Sequence, residues 1–145
     1  MLANYIDERC IRTNVNCKNW QDAIRAGADL LLQAVCIEPR YIEAIIRHHR
    51  ELPYMVIAPG IMLAHARSEE GALAVGISII TLAEPIIFGS ELNDPVKLVI
   101  TLATTDGEKH MELLASLMEF LMKEELVGRL MAAKDVAEAV TIIKS

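Results

Sequence analysis

Three stretches of this chain, residues 53–58, 72–82 and 96–103, consist almost wholly of apolar side chains rich in valine and isoleucine. Strands that read as near-continuous apolar runs are covered on both faces, so they call for a sheet with helices packed on each side. The first run is broken by Pro59-Gly60 and resumes as Ile61-Met62-Leu63-Ala64. It delivers one imidazole, His65, just before the polar turn Arg67-Ser68-Glu69-Glu70-Gly71. A ring at the end of buried strand structure is held by its neighbours and still reached from water, and chemistry needs both properties.

The segments between and around these runs have helical spacing. Asn19 is placed to cap a helix over 20–34, with Trp20, Ala23, Ile24, Ala28, Leu31 and Leu32 on one face. Glu38-Pro39 opens a second helix, whose apolar face is Tyr41, Ile42, Ile45 and Ile46 and which runs out in Arg47-His48-His49-Arg50. Residues 85–88 read as a short edge piece, and residues 89–95 as a turn and loop. Thr105-Asp106-Gly107-Glu108 has capping-box spacing ahead of a long helix to about residue 123. His110 heads the apolar stripe of that helix, followed by Leu113, Leu114, Leu117 and Leu121. Two further helices are expected over 124–132 and 135–143. Residues 1–17 give no firm assignment, although Ile6 and Ile11 are candidates to pack on the core.

This order predicts a single α/β domain over residues 1–145, with a central mixed sheet of four or five strands flanked by helices. The 145 residues, 53% of them hydrophobic, suffice for one buried core and not for two ordinary domains. A net charge of −6 argues against a nucleic-acid surface and suits a basic protein partner. Cys10, Cys17 and Cys36 are odd in number and lack CxxC spacing, so neither a disulfide framework nor a zinc knuckle is indicated. The longest apolar run, residues 72–83, is short of the about 20 residues needed to span a bilayer. The amino terminus, with Asp7, Glu8 and Arg9 so early, has no signal-peptide core. A soluble protein of the reducing cytoplasm is expected.

Each of the four histidines has a plain structural reading beside a functional one. His48 and His49 sit at a helix end, where they favour the carboxyl terminus electrostatically. As a metal pair they are poor, because neighbouring helix positions point about 100° apart, and no HExxH or HxH spacing occurs. His65 shares strand parity with Ile61 and Leu63 and reads equally well as a hydrogen-bonded core histidine. His110 can be the solvent-facing edge of its helix. The reading changes if His65 and His110 meet, since strand ends and helix amino termini are neighbours in layered α/β folds and ligand sites collect there. Two neutral imidazoles beside free helix amides favour an anion such as a phosphoryl group.

The segment 53–67, with its Pro-Tyr-x-Val-Ile-Ala-Pro-Gly core ahead of His65, together with Asn93-Asp94-Pro95-Val96 and residues 106–110, resembles enzyme IIA of the bacterial phosphoenolpyruvate-dependent sugar phosphotransferase system. The likeness is to the mannitol/fructose class and within it to the ascorbate-type branch, and it extends from about residue 20 to the end. It implies a phosphoryl relay without metal or cofactor. His65 would accept the group from the phosphohistidine of the carrier protein HPr and pass it to a cysteine of the cognate enzyme IIB. Enzyme IIB in turn phosphorylates sugar as the membrane component IIC transports it. His110 matches the second histidine of the family site, expected to orient the His65 ring or to bond the phosphoryl group. Family members usually carry proline before the active histidine; here Ala64 stands there, which loosens the backbone and leaves an amide to satisfy. The family's helix arginine has no decisive counterpart, with Arg47 and Arg50 both nearby. Met62 and Ala66 are candidates for the rim of the site, and either reads equally well as core.

Two other readings belong to different classes. A regulatory module of the same fold would be phosphorylated, or would bind a partner, without feeding a transporter. A zinc-dependent hydrolase would use His48, His49, His65 and His110 and would contain stoichiometric metal. The sugar is not written in this chain, because the choice of substrate lies in the IIC component.

Overall fold

The computed structural model describes residues 1–105 and 107–145. A five-stranded mixed sheet lies at the centre, built from β1 (Ile11–Val15), β2 (Val56–Ala58), β3 (Ile61–Ala64), β4 (Gly76–Ile86) and β5 (Val96–Ala103) in the order β1-β4-β5-β3-β2. The β1–β4 and β3–β5 pairs are parallel, and the β4–β5 and β2–β3 pairs antiparallel. Helices α1 (Trp20–Gln33) and α2 (Pro39–Glu51) cover one face, while α3 (Gly107–Leu121), α4 (Glu124–Met131) and α5 (Val136–Ile143) cover the other. Among the described residues no helix is long and apolar enough to cross a membrane.

Alternation along the strands divides the core in two. Ile61, Leu63, Leu98, Ile100 and Leu102 face α3 with Leu113 and Leu117, whereas Met62, Ala64, Val99 and Ala103 face α1 and α2 with Ile24, Tyr41 and Ile45. Burying side chains of this size contributes about 1.5–3 kcal/mol each, which is why both strand parities are apolar here. At its closest approach to the sheet α1 presents Gly27, whose carbonyl accepts from Ser78 Oγ at 2.7 Å.

The first two helices follow their local signals. Asn19 caps α1 by accepting the Asp22 amide, and Pro39 opens α2. The strands depart from expectation in three places. The run at 53–58 is not a buried strand: only Val56–Ala58 pair, at the sheet edge, and Tyr54 and Ile57 are exposed. The strand expected over 72–82 begins at Gly76, because Leu73 and Ala74 spend their amides on the Cys36 carbonyl. It then continues through Pro85 to Ile86, which pairs with Val96, so residues 85–86 are its tail and not a separate piece. The unassigned amino-terminal stretch supplies β1, with Ile11 buried as expected. Asp106, in the expected capping box, lies outside the described residues.

Candidate functional site

β3 and β5 run parallel and stop at the same edge, with Ala64 opposite Thr101 as the last rung. His65 follows directly from β3. The chain leaving β5 at Ala103 passes Thr104 and enters α3, which carries His110 in its first turn. Continued alternation puts His65 on the Ile61/Leu63 side, the side on which α3 packs. Both rings are half-buried.

His65 Nδ1 stands 3.0 Å from the Leu63 carbonyl oxygen. A carbonyl only accepts, so Nδ1 of the neutral ring carries the hydrogen and Nε2 the lone pair. The Tyr54 ring meets the imidazole edge-on with centroids 6.1 Å apart, which adds a second restraint on its plane. His110 Nδ1 lies 3.0 Å from the Thr104 hydroxyl.

Helix α2 fastens the chain that follows His65. The Tyr41 hydroxyl accepts from the Ala66 amide at 3.0 Å and donates to the Leu102 carbonyl at 2.7 Å, and burial pushes its pKa up to about 12. Glu70 accepts from the Arg67 amide at 2.9 Å, from His48 Nε2 at 2.8 Å and from Arg47 at 2.7 Å. Burial alone would raise the Glu70 carboxyl; the Arg67 amide, the His48 bond and the Arg47 guanidinium outweigh it and hold it below the usual range. Arg40 donates to the Glu69 carbonyl at 2.9 Å. Of these, the sequence places Glu70 in the turn after His65 and groups His48 with it only as a metal ligand, whereas Tyr41 reads there as part of the apolar face of its helix. The sequence separation of Tyr41 and His48 from this segment hides their contacts with it.

The remaining sequence signals sort themselves physically. Asn93-Asp94-Pro95 organises a loop: Asp94 accepts the amides of Phe88, Gly89 and Ser90, and Asn93 bonds the Val56 and Gly60 backbone at the β2–β3 hairpin. Gly60 turns that hairpin at φ +76°, which favours glycine. Of the two readings of Met62, rim and core, the structure shows core. The side chain is fully buried on the α1/α2 side, because a sheet covered on both faces buries both parities; Ala66 is half-buried. The backbone before His65 is held by the ladder to β5, with Ala64 itself in the strand and buried.

His49 does not serve the helix end electrostatically. It points inward, 2% exposed, donates from Nε2 to the Phe88 carbonyl at 2.7 Å, and packs against Trp20. The histidines therefore do not converge as a zinc site would require, and among the described residues no group of three or more His, Cys, Asp or Glu could hold a metal ion.

Comparison with known proteins agrees with this fold. Residues 4–145 match the family described as phosphoenolpyruvate-dependent sugar phosphotransferase system, EIIA 2. The chain is 38% identical over 137 residues to the ascorbate-specific PTS system EIIA component of Shigella dysenteriae serotype 1, covering 93% of this chain and 89% of that protein. It superimposes on the solution structure of the mannitol-specific cryptic phosphotransferase enzyme IIA CmtB from Escherichia coli with a TM-score of 0.90 and 34% identity, over 98% of this chain and 97% of that one. The fold also matches enzyme IIAMTL in its complex with phosphorylated enzyme IIBMTL from Escherichia coli, with a TM-score of 0.83 and 23% identity over 96% of each chain. With the family pattern running through nearly the whole sequence and the same sheet and helices in its relatives, this chain belongs to the EIIA type 2 family and is a phosphotransferase component of the sugar phosphotransferase system.

Proposed function

We propose that this domain is a phosphocarrier whose His65 Nε2 accepts a phosphoryl group from phospho-HPr and passes it to a cysteine of a cognate enzyme IIB. The observation that carries the reading is the bond between His65 Nδ1 and the Leu63 carbonyl, which leaves Nε2 as the bare nitrogen of a half-buried ring. In the first step the P–N bond of the donor breaks and a bond from phosphorus to Nε2 forms. The His65 ring gains positive charge as it does so, and the Leu63 carbonyl, already accepting the Nδ1 hydrogen, stabilises that charge. In the second step the Nε2–phosphorus bond breaks as a thiolate sulfur takes the group, and the ring returns to its neutral form.

His110 supports the same transfer. His110 Nδ1 lies 3.0 Å from the Thr104 hydroxyl; in the tautomer in which that hydroxyl donates, the His110 hydrogen sits on Nε2 and is available to a phosphoryl oxygen. The amino terminus of α3 adds a favourable potential for the anion. Positioning and charge stabilisation suffice for this chemistry, so the reading calls for no metal or cofactor.

Enzyme IIB is proposed as the recipient because the fold match includes an enzyme IIA bound to phosphorylated enzyme IIB. Membrane component IIC then takes part only indirectly. Ascorbate is the substrate to test first, on the name of the 38% identical relative. Residues 1–145 would act as one carrier domain in the cytoplasm. The test is incorporation of labelled phosphate from phospho-HPr: His65→Ala is expected to stay folded and take up none. Normal incorporation into that variant would refute the assignment.

A further inference from the structure

We propose that Tyr41 is a positioning residue for this transfer, its hydroxyl acting as the rung that follows the end of the β3–β5 ladder. The inference rests on His65 being the acceptor.

A buried phenol needs a hydrogen-bond partner, and one carbonyl would satisfy it. Tyr41, 1% exposed, instead joins two chain segments. Its hydroxyl donates to the Leu102 carbonyl at 2.7 Å and accepts from the Ala66 amide at 3.0 Å, and the Ala66 carbonyl oxygen lies 3.2 Å away. Backbone pairing ends one step earlier, at Ala64 opposite Thr101. At the next position a single side-chain oxygen stands between the strands, bonded to both. One of its partners is adjacent to His65. The other lies two residues before Thr104, whose hydroxyl meets His110.

The spacing of the two histidine-bearing segments at this edge is therefore set by a residue of α2 whose hydroxyl bonds their backbone. Helix α2 is a firm base for such a link, since Ile45 is fully buried and Ile46 nearly so. Transfer between imidazole and phosphorus depends on in-line approach, and displacement of reacting atoms by about 1 Å can cost on the order of a hundredfold in rate. Removal of the hydroxyl frees the Ala66 amide and the Leu102 carbonyl together, so the segment after His65 loses its tie to β5 while the ring of residue 41 continues to fill the core.

The experiment compares wild type, Tyr41→Phe and Ile45→Val for phosphorylation by phospho-HPr, with hydrogen exchange of the Ala66 amide measured by NMR on each. Ile45→Val loosens the same helix face and leaves the hydroxyl in place, so it reports what packing loss alone does. Tyr41→Phe is expected to lower the transfer rate at saturating phospho-HPr by about tenfold or more, to leave the half-saturating concentration unchanged, and to speed exchange at Ala66. Ile45→Val should change neither rate nor exchange at Ala66. A Tyr41→Phe protein with the wild-type rate overturns the inference, whether or not Ala66 loses protection. So does an equal slowing in Ile45→Val, or a Tyr41→Phe chain that melts without a folded baseline, because either makes residue 41 a fold element only. Wild type that takes no phosphoryl group on residue 65 overturns the proposed function instead, and the positioning role falls with it.

Discussion

His48 Nε2 and the Glu70 carboxylate are 2.8 Å apart, joining the last turn of α2 to the turn that follows His65. Arg47 reaches the same carboxylate at 2.7 Å, and the Arg67 amide donates to it at 2.9 Å. One acid thus serves as the common acceptor for two elements. Glu70→Ala should lower the melting temperature at pH 7 by about 3 °C. The sign of the pH effect follows from the depressed carboxyl. Its contribution is fully present above the ordinary value of 4.5 and is lost as pH falls through the lower folded value. The difference between wild type and variant should therefore shrink on acidification below pH 4.5; thermal melts at pH 7 and pH 3.5 measure it, and a constant difference would count against the role given to Glu70.

His49 predicts an acid effect in a higher window. Burial depresses its pKa below the ordinary 6.5, against the opposing pull of the Phe88 carbonyl and Asp94. Below pH 6.5 the unfolded chain binds a proton that the folded ring resists, so stability is complete above that value and declines as pH falls through the folded one. A proton arriving on Nδ1 would find no acceptor among the described residues. His49→Gln, which cannot titrate, should show a flatter change in urea midpoint between pH 7.5 and 5.5 than wild type. Equal slopes would contradict the account.

Gly27 is predicted to be irreplaceable by a larger residue. A Cβ there would sit 2.8 Å from Thr101 Oγ1, under the contact distance real side chains tolerate, and Thr101 is itself fully buried in β5. Gly27→Ala should cost about 1–3 kcal/mol in denaturant unfolding, despite alanine's better helix propensity. Unchanged or increased stability would show that α1 can lift away from the sheet.

His110→Ala should slow phosphoryl transfer to His65 by about 100- to 1000-fold, as loss of one charge-stabilising donor does, while incorporation still goes to completion. Quench-flow with labelled phospho-HPr distinguishes this from loss of the acceptor. A wild-type rate would remove His110 from the mechanism.

How much of this was legible beforehand depended on how local the signal was. The starts of α1 and α2 are set by single residues, Asn19 and Pro39, and were found. The strand β1 was not. Its five residues alternate between buried and exposed, Asn14 sits at φ +53°, and pairing comes from β4, more than sixty residues away. Likewise residues 72–75 are apolar enough for strand, and only the Cys36 carbonyl, invisible in the local pattern, holds two of their amides outside it. At the site, strand parity and helix start left open whether His65 and His110 lie at one edge, since that depends on β3 pairing parallel with β5. The separation of His48 from His49 into a turn-binding and a core ring depended on which direction α2 faces. The Tyr41 link depended on packing across the sheet and lay beyond any reading of spacing.

The central claim concerns one nitrogen, and NMR of the phosphorylated protein tests it directly. Protein labelled with 15N in histidine and phosphorylated by phospho-HPr should show phosphorus coupling at His65 Nε2, with the Nδ1 hydrogen retained. Coupling at Nδ1 of His65, or at any nitrogen of His110, would contradict the account.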